Sequence, residues 1–356
     1  MRAAPAAVVE SLVHGAGLVL PPAGLAPGAP WFDHRVRLGR GYRFLPPACQ
    51  YLVAAGRSAL AATDAVDGWT ERYPAERRGA VLGTNSAVAA VHADIDATVR
   101  RDGAGPLSPM GVPFFSVNLV AARLSTEHEL KGFNVTVTSP RVAGLEALHL
   151  AARELAAGRA DMVLAGAAEA PDPWAGEAAP EDGAALLLLH PAPAPGAPRD
   201  GRTTPRDGNP ARYDGRPAVP AGPAVLRTTL RFVPPPALAG PAGRARAAAA
   251  VHDALEAVCP AGGPPPEIRL LTDPSPVGEA VERAVRAWSA GRAAVSTARS
   301  GPRAGSLAPV AELADGVLTG SPHPLLVVAA AAQGNVAFAA LPSTYRPEPT
   351  KRCDTC

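Results

Sequence analysis

The chain has 356 residues, 47% of them hydrophobic, and a formal net charge of +2. That length supports a large core, in one big domain or two fused halves, and the near-neutral balance leaves no footprint for nucleic acid or an anionic membrane. No apolar run approaches the roughly 20 residues that span a bilayer, and four cysteines in this length argue against a disulfide scaffold.

The N-terminus lacks a basic region followed by an apolar run and a cleavage site, so a cytoplasmic protein is expected. Residues 13–21 (VHGAGLVLP) suit a buried first strand, 22–30 a loop, and 52–62 an amphipathic helix. A second buried strand is predicted over Arg78–Thr84, then a helix of small residues over Ser86–Val99. A loop over Gly105–Val117 and a helix over Asn118–His128 follow.

The next stretch, Asn134–Glu169, organises the rest. Val135-Thr136-Val137-Thr138 alternates as a strand, Ser139-Pro140-Arg141 turns, and Val142, Leu145, Leu148, Ala152 and Leu155 mark one buried helix face. Gly158 ends that helix, and Met162–Gly166 reads as another strand. A strand, a sharp turn and a helix form a mount for a nucleophile in many α/β enzymes. Here the tip carries Arg141, and an arginine stays protonated, so it cannot attack.

A further buried strand is predicted over Ala184–Leu189, and residues 191–223, rich in Pro, Gly and Arg, read as an irregular connector. The second half alternates again. Strands are expected at 225–232, 267–271, 293–297, 325–332 and 336–341, and helices at 244–258, 278–289 and 307–318. Two similar α/β halves, residues 1–190 and 224–345, stacked into a layered sandwich fit that order. Residues 346–356 read as a flexible tail, and the lone Cys353/Cys356 pair in it would bind a metal only with outside help. Cys49 and Cys259 read as inert.

Several segments together resemble a known family. They are LGTNS (82–86), GPLSP (105–109), VN (117–118), LKGFNVTV (130–137) and AGRADMVLAGAAE (157–169). In order and spacing they resemble a β-ketoacyl synthase of the thiolase fold, a layered αβαβα sandwich. The second half is similar more weakly, through 271–284, 296–312 and the turn Gln333-Gly334-Asn335.

A condensing ketosynthase needs a cysteine to carry the acyl chain and two histidines to polarise the malonyl carbonyl and stabilise the carbanion. Laid onto the family motifs, the cysteine position is Arg141 and the two histidine positions are Leu271 and Arg303. The supporting lysine position is Ala298. The chain therefore resembles the catalytically silent chain length factors of type II polyketide synthases. This resemblance implies a heterodimer with an active ketosynthase, an acyl carrier protein as partner of the complex, and neither cofactor nor metal. Two other readings stay open: a stand-alone thiolase-fold acyltransferase with another nucleophile, and a silent scaffold subunit of a fatty-acid-like synthase. Ser139 is the one hydroxyl near the tip on the strand side, with no base evident beside it.

A buried arginine needs a partner. In the family fold the cysteine and first histidine motifs converge, so an Arg141–Asp273 ion pair is expected to fill the vacated pocket. The family's cross-dimer aromatic position falls on Gly111, and its gate position on Ser86. With the small residues Ala89, Ala90 and Ala93 and the neighbouring Val112, Phe114, Phe115 and Asn118, these imply an enlarged interface tunnel for a polyketide or polyene chain. His92 reads as a polar interface residue.

Overall fold

The computed structural model describes residues 7–26, 29–109, 111–174, 181–192, 224–259, 264–292, 295–299, 306–321 and 323–342, with backbone alone at 62–67, 298 and 299. The expected connector beyond residue 192, the tail with its cysteine pair, and Arg303 lie outside the described residues.

The first half runs β1 (Val9–Val19), α1 (His34–Arg37), α2 (Pro47–Asp67), α3 (Trp69–Arg72), β2 (Arg78–Gly83), α4 (Ala89–Asp102), α5 (Asn118–Glu127), β3 (Asn134–Val137), α6 (Ala143–Ala156), β4 (Met162–Glu169) and β5 (Gly183–Pro191). The second runs β6 (Ala224–Phe232), α7 (Pro241–Val258), β7 (Glu267–Thr272), α8 (Pro276–Ser289), β8 (Val295–Arg299), α9 (Leu307–Thr319), β9 (Leu325–Ala330) and β10 (Asn335–Leu341).

The strands join in the order β3-β2-β4-β5-β1-β6-β10-β9-β7-β8. That order is a palindrome: each half contributes the same five-strand arrangement, and the halves meet where β1 pairs antiparallel with β6. Within each half the outer three strands are parallel (β2 with β3 and β4, β7 with β8 and β9), and two antiparallel strands follow toward the centre. β4 is buried along its whole length and β5 up to its last residue, as expected of strands covered on both faces.

Three apolar clusters define the layers. One gathers α2 and α5 against the outer face of the first half-sheet, through Leu52, Val53, Leu124, Leu164 and Leu188. Another packs α7 and α8 on the second half-sheet, through Val251, Leu255, Val281, Ile268 and Val328. Between the half-sheets lie α6 and α9, where Leu145, Leu148, Val310 and Leu313 meet Val163, Leu187, Val327 and Ala337. The result is helix, sheet, helix, sheet, helix. Each layer covers apolar faces that one sheet alone would leave in water.

Several boundaries differ from the sequence reading, each for a tertiary reason. β1 begins at Val9 rather than Val13, because it pairs with β6 from Val9 onward. The helix expected from Ser86 starts at Ala89, after a turn whose amides at 85 and 86 bind Glu169. The strand expected to reach Ala332 stops at Ala330, where Gly334 N–H bonds Ala331 O and the chain turns into β10.

Candidate functional site

The turn between β3 and α6 is sharp. Val142 N–H bonds Pro140 O at 2.7 Å and Ala143 N–H bonds Ser139 O at 3.0 Å, which folds the tip back on itself. Arg141 sits there with φ +61°, a left-handed conformation that costs a non-glycine residue roughly 1–2 kcal/mol. Arg141 is 2% exposed. Burial pulls its guanidinium below the usual arginine range, while the carboxylates of Asp273 and then Glu181 oppose that shift.

Asp273, just beyond β7, is 4% exposed. Its Oδ2 lies 4.0 Å from Arg141 Nε, an ionic contact longer than a hydrogen bond. Oδ2 also accepts from Ala332 N–H at 3.1 Å and Oδ1 from Ser275 N–H at 3.2 Å. Leu271 is buried in the central apolar cluster, opposite Ala298 on β8 and Ala329 on β9, so it offers no donor to the pocket.

At the end of β4 lies a carboxylate that sequence reasoning assigned no role. Glu169, the last residue of β4, is fully buried. It accepts from Asn85 N–H (2.9 Å), Ser86 N–H (2.6 Å), Thr84 Oγ (3.1 Å) and Ser86 Oγ (2.8 Å). From across the molecule it takes Ser306 N–H (2.9 Å) and Ser306 Oγ (3.0 Å). A buried carboxylate so surrounded replaces its lost hydration with fixed donors. Glu169 thereby ties β4, the loop before α4 and the start of α9 together. The one sequence signal for it is an acid closing an otherwise apolar strand.

Glu181 meets the same helix start. Its carboxylate accepts from Leu307 N–H at 2.8 Å and Ala308 N–H at 3.4 Å. Burial, and next the charge of Glu169, push its carboxyl up to about 7, against the pull of those two amides and Arg141. Nothing in the sequence pattern marks Glu181, because its role depends on which helix start packs over it. Gly144 lets that approach happen: a Cβ there would stand 2.4 Å from Ser306 O and 2.6 Å from Val310 Cγ2.

Among the described residues, Arg141 faces Asp273 and Glu181, and three nearby backbone donors are occupied. The amides of Ala332, Ser306 and Leu307 each serve a carboxylate. An acyl-transfer site needs such donors available for the developing oxyanion.

The residues expected at a tunnel and interface are spread over α4 and the loop before α5. Ser86 is buried, with its hydroxyl between Glu169 and Ala170 O (2.7 Å), so it belongs to the Glu169 cluster. Ala89 is buried, Ala93 half-buried and Ala90 exposed. Gly111 lies on the loop with only Ser108 O near the direction a side chain would take. Val112 and Phe115 are exposed, and Phe114 packs onto the outer cluster of the first half. Asn118 is exposed at the start of α5 and accepts from Ser116 Oγ. His92 Nε2 lies 2.7 Å from Phe115 O and its ring 4.7 Å from the Phe115 ring, which clasps the loop to α4. The structure thus joins His92 and Phe115 across α4 and the loop before α5, whereas Ser86 belongs with Glu169.

Five alternating layers from two palindromic halves, with an elbow at the start of a central helix, define the thiolase-like fold. Residues 31–180 match the family model described as "Beta-ketoacyl synthase, N-terminal domain". Among curated proteins, the chain is similar to 3-oxoacyl-[acyl-carrier-protein] synthase 2 of Rhizobium meliloti (strain 1021), 32% identical over 131 residues, 36% of this chain and 30% of that protein. It is also similar to the synthase of the same description from Vibrio harveyi, 36% identical over 121 residues, 34% of this chain and 28% of that protein. The matched stretch thus spans less than a third of either relative. Among solved structures, the ishigamide ketosynthase/chain length factor superposes with a TM-score of 0.61 at 19% identity, over 94% of this chain and 99% of that one. A chain of the AntDE:AntF complex, a type II polyketide synthase acyl-carrier protein with its hexaketide-bound ketosynthase, gives a TM-score of 0.61 at 16% identity, over 95% and 100%.

Proposed function

We propose that this chain is a non-condensing, ketosynthase-like subunit that pairs with an active ketosynthase and shapes the tunnel for a carrier-protein-bound polyketide or polyene chain. One observation carries the reading: the elbow tip, the nucleophile's place, holds a buried arginine facing Asp273. A guanidinium has no lone pair to form a thioester. Leu271 offers no imidazole at the adjoining position, and the amides of Ala332, Ser306 and Leu307 are committed to carboxylates. The exposed Val112 and Phe115, braced by His92, give the first half an apolar surface suited to a partner.

The test is co-expression with a cysteine-bearing ketosynthase. The expected result is a soluble one-to-one complex that elongates a carrier-protein substrate. The isolated chain, incubated with acyl thioesters, is expected to show no added mass by intact mass spectrometry. An acyl adduct on the isolated chain, or condensation without the partner, would overturn the reading.

A further inference from the structure

The segment joining α3 to β2 holds a buried cation with no carboxylate beside it. Arg78 opens β2 and is 5% exposed. Its guanidinium gives Nε–H to Tyr73 O at 2.8 Å and a terminal N–H to Thr70 O at 2.7 Å. The guanidinium carbon lies 4.9 Å from the centre of the Trp69 ring. Among the described residues no acid reaches it. Asp161 is taken by the neighbouring Arg77, at 3.0 and 2.6 Å, and Glu71 is exposed on α3. Two carbonyl dipoles and an indole face spread a positive charge, but they do not cancel it.

The indole under that guanidinium has an unmet need of its own. Trp69 is 5% exposed, and its Nε1–H is buried with no acceptor among the described residues. An indole N–H can only donate, so burial without a partner costs it the hydration that nothing replaces. Close by, His190 Nδ1 lies 3.2 Å from the Tyr73 hydroxyl, while its Nε2 is likewise buried without a described partner. The charges acting on His190 from described residues are those of His14 and Arg72, and both oppose its protonation. Donors and cations thus gather around Tyr73, and no described carboxylate answers them.

We infer that Trp69 and Arg78 form a binding site for a small inorganic anion of the size and charge of chloride. The ion accepts the indole N–H and serves as counter-charge to the guanidinium, replacing the water that both groups give up on folding. A monoatomic anion suits so enclosed a place, where Trp69, Arg78 and His190 are each 5% exposed. Bound there, it clips α3 to the start of β2 and, through Tyr73, to the end of β5. The inference is independent of the proposed pairing with a ketosynthase, since none of these residues belongs to the surface assigned to that partner.

The experiment is denaturant unfolding of the full chain, with sodium chloride replacing sodium gluconate at constant ionic strength, for the wild type and Trp69→Phe. Gluconate is too bulky to enter, and fixed ionic strength holds general screening constant. Phenylalanine keeps an aromatic face under Arg78 but has no N–H to give. The wild-type folding equilibrium is expected to rise saturably, by about tenfold once chloride exceeds its dissociation constant about tenfold. In Trp69→Phe the rise should be lost, or moved to at least about tenfold more chloride. A wild type indifferent to chloride, or equal rises in the two proteins, would overturn the inference. Should the variant fail to fold, wild-type crystals soaked in sodium bromide decide: an anomalous peak should lie within hydrogen-bond reach of Trp69 Nε1 and beside Arg78. Bromide on exposed arginines only, or nowhere, overturns the inference too.

Discussion

At position 141 the backbone adopts a left-handed conformation that glycine or asparagine would take with less strain, and the side chain is a cation withdrawn from water. Both features are unfavourable alone, and they persist because the surroundings fix them. Asp273 is the first of these supports, itself anchored by Ser275 N–H and Ala332 N–H. Removing one member of a buried pair leaves an uncompensated charge, whereas replacing both by neutral groups of similar volume does not. Asp273→Ala is therefore expected to cost about 3 kcal/mol, and Arg141→Met with Asp273→Asn clearly less, in a double-mutant cycle read by urea unfolding. Arg141 and Asp273 were legible in the sequence, because the strand–turn–helix pattern and the motif order placed them at facing loops. Glu169 and Glu181 were not, since their partners lie 83 to 137 residues away in sequence.

The elements themselves follow from period. Leu145, Leu148 and Leu155 mark the buried face of α6, and Val310, Leu313 and Ala314 that of α9. Hydrophobic spacing finds such helices, but it cannot say that two of them share one layer between two half-sheets. It also misplaced the start of α4, which follows a turn whose amides at 85 and 86 bind Glu169. The close crossing of α6 and the start of α9 depends on Gly144. Gly144→Ala would drive a methyl into Ser306 O, a backbone atom that cannot rotate away. The expected loss is about 1–3 kcal/mol, seen as a lowered denaturation midpoint. Hydrogen exchange should rise first at Leu307 and Ala308, before the α2 layer is affected.

For the whole molecule, the alternation of strands and helices in both halves correctly implied two similar units in a layered sandwich. What it left open was how the units join, because pairing between β1 and β6 depends on edges, not on pattern. That pairing has a consequence for how the chain can be divided. β1 is N-terminal, yet it lies between β5, which ends the first half, and β6, which begins the second. The layer of α6 and α9 likewise draws on both half-sheets. A polypeptide broken between residues 192 and 224 would thus leave each fragment with an open sheet edge and one uncovered apolar face. Neither fragment is expected to be soluble alone, whereas the two expressed together should reassemble and copurify by fragment complementation. Two halves that look like separable repeats would then behave as a single folding unit.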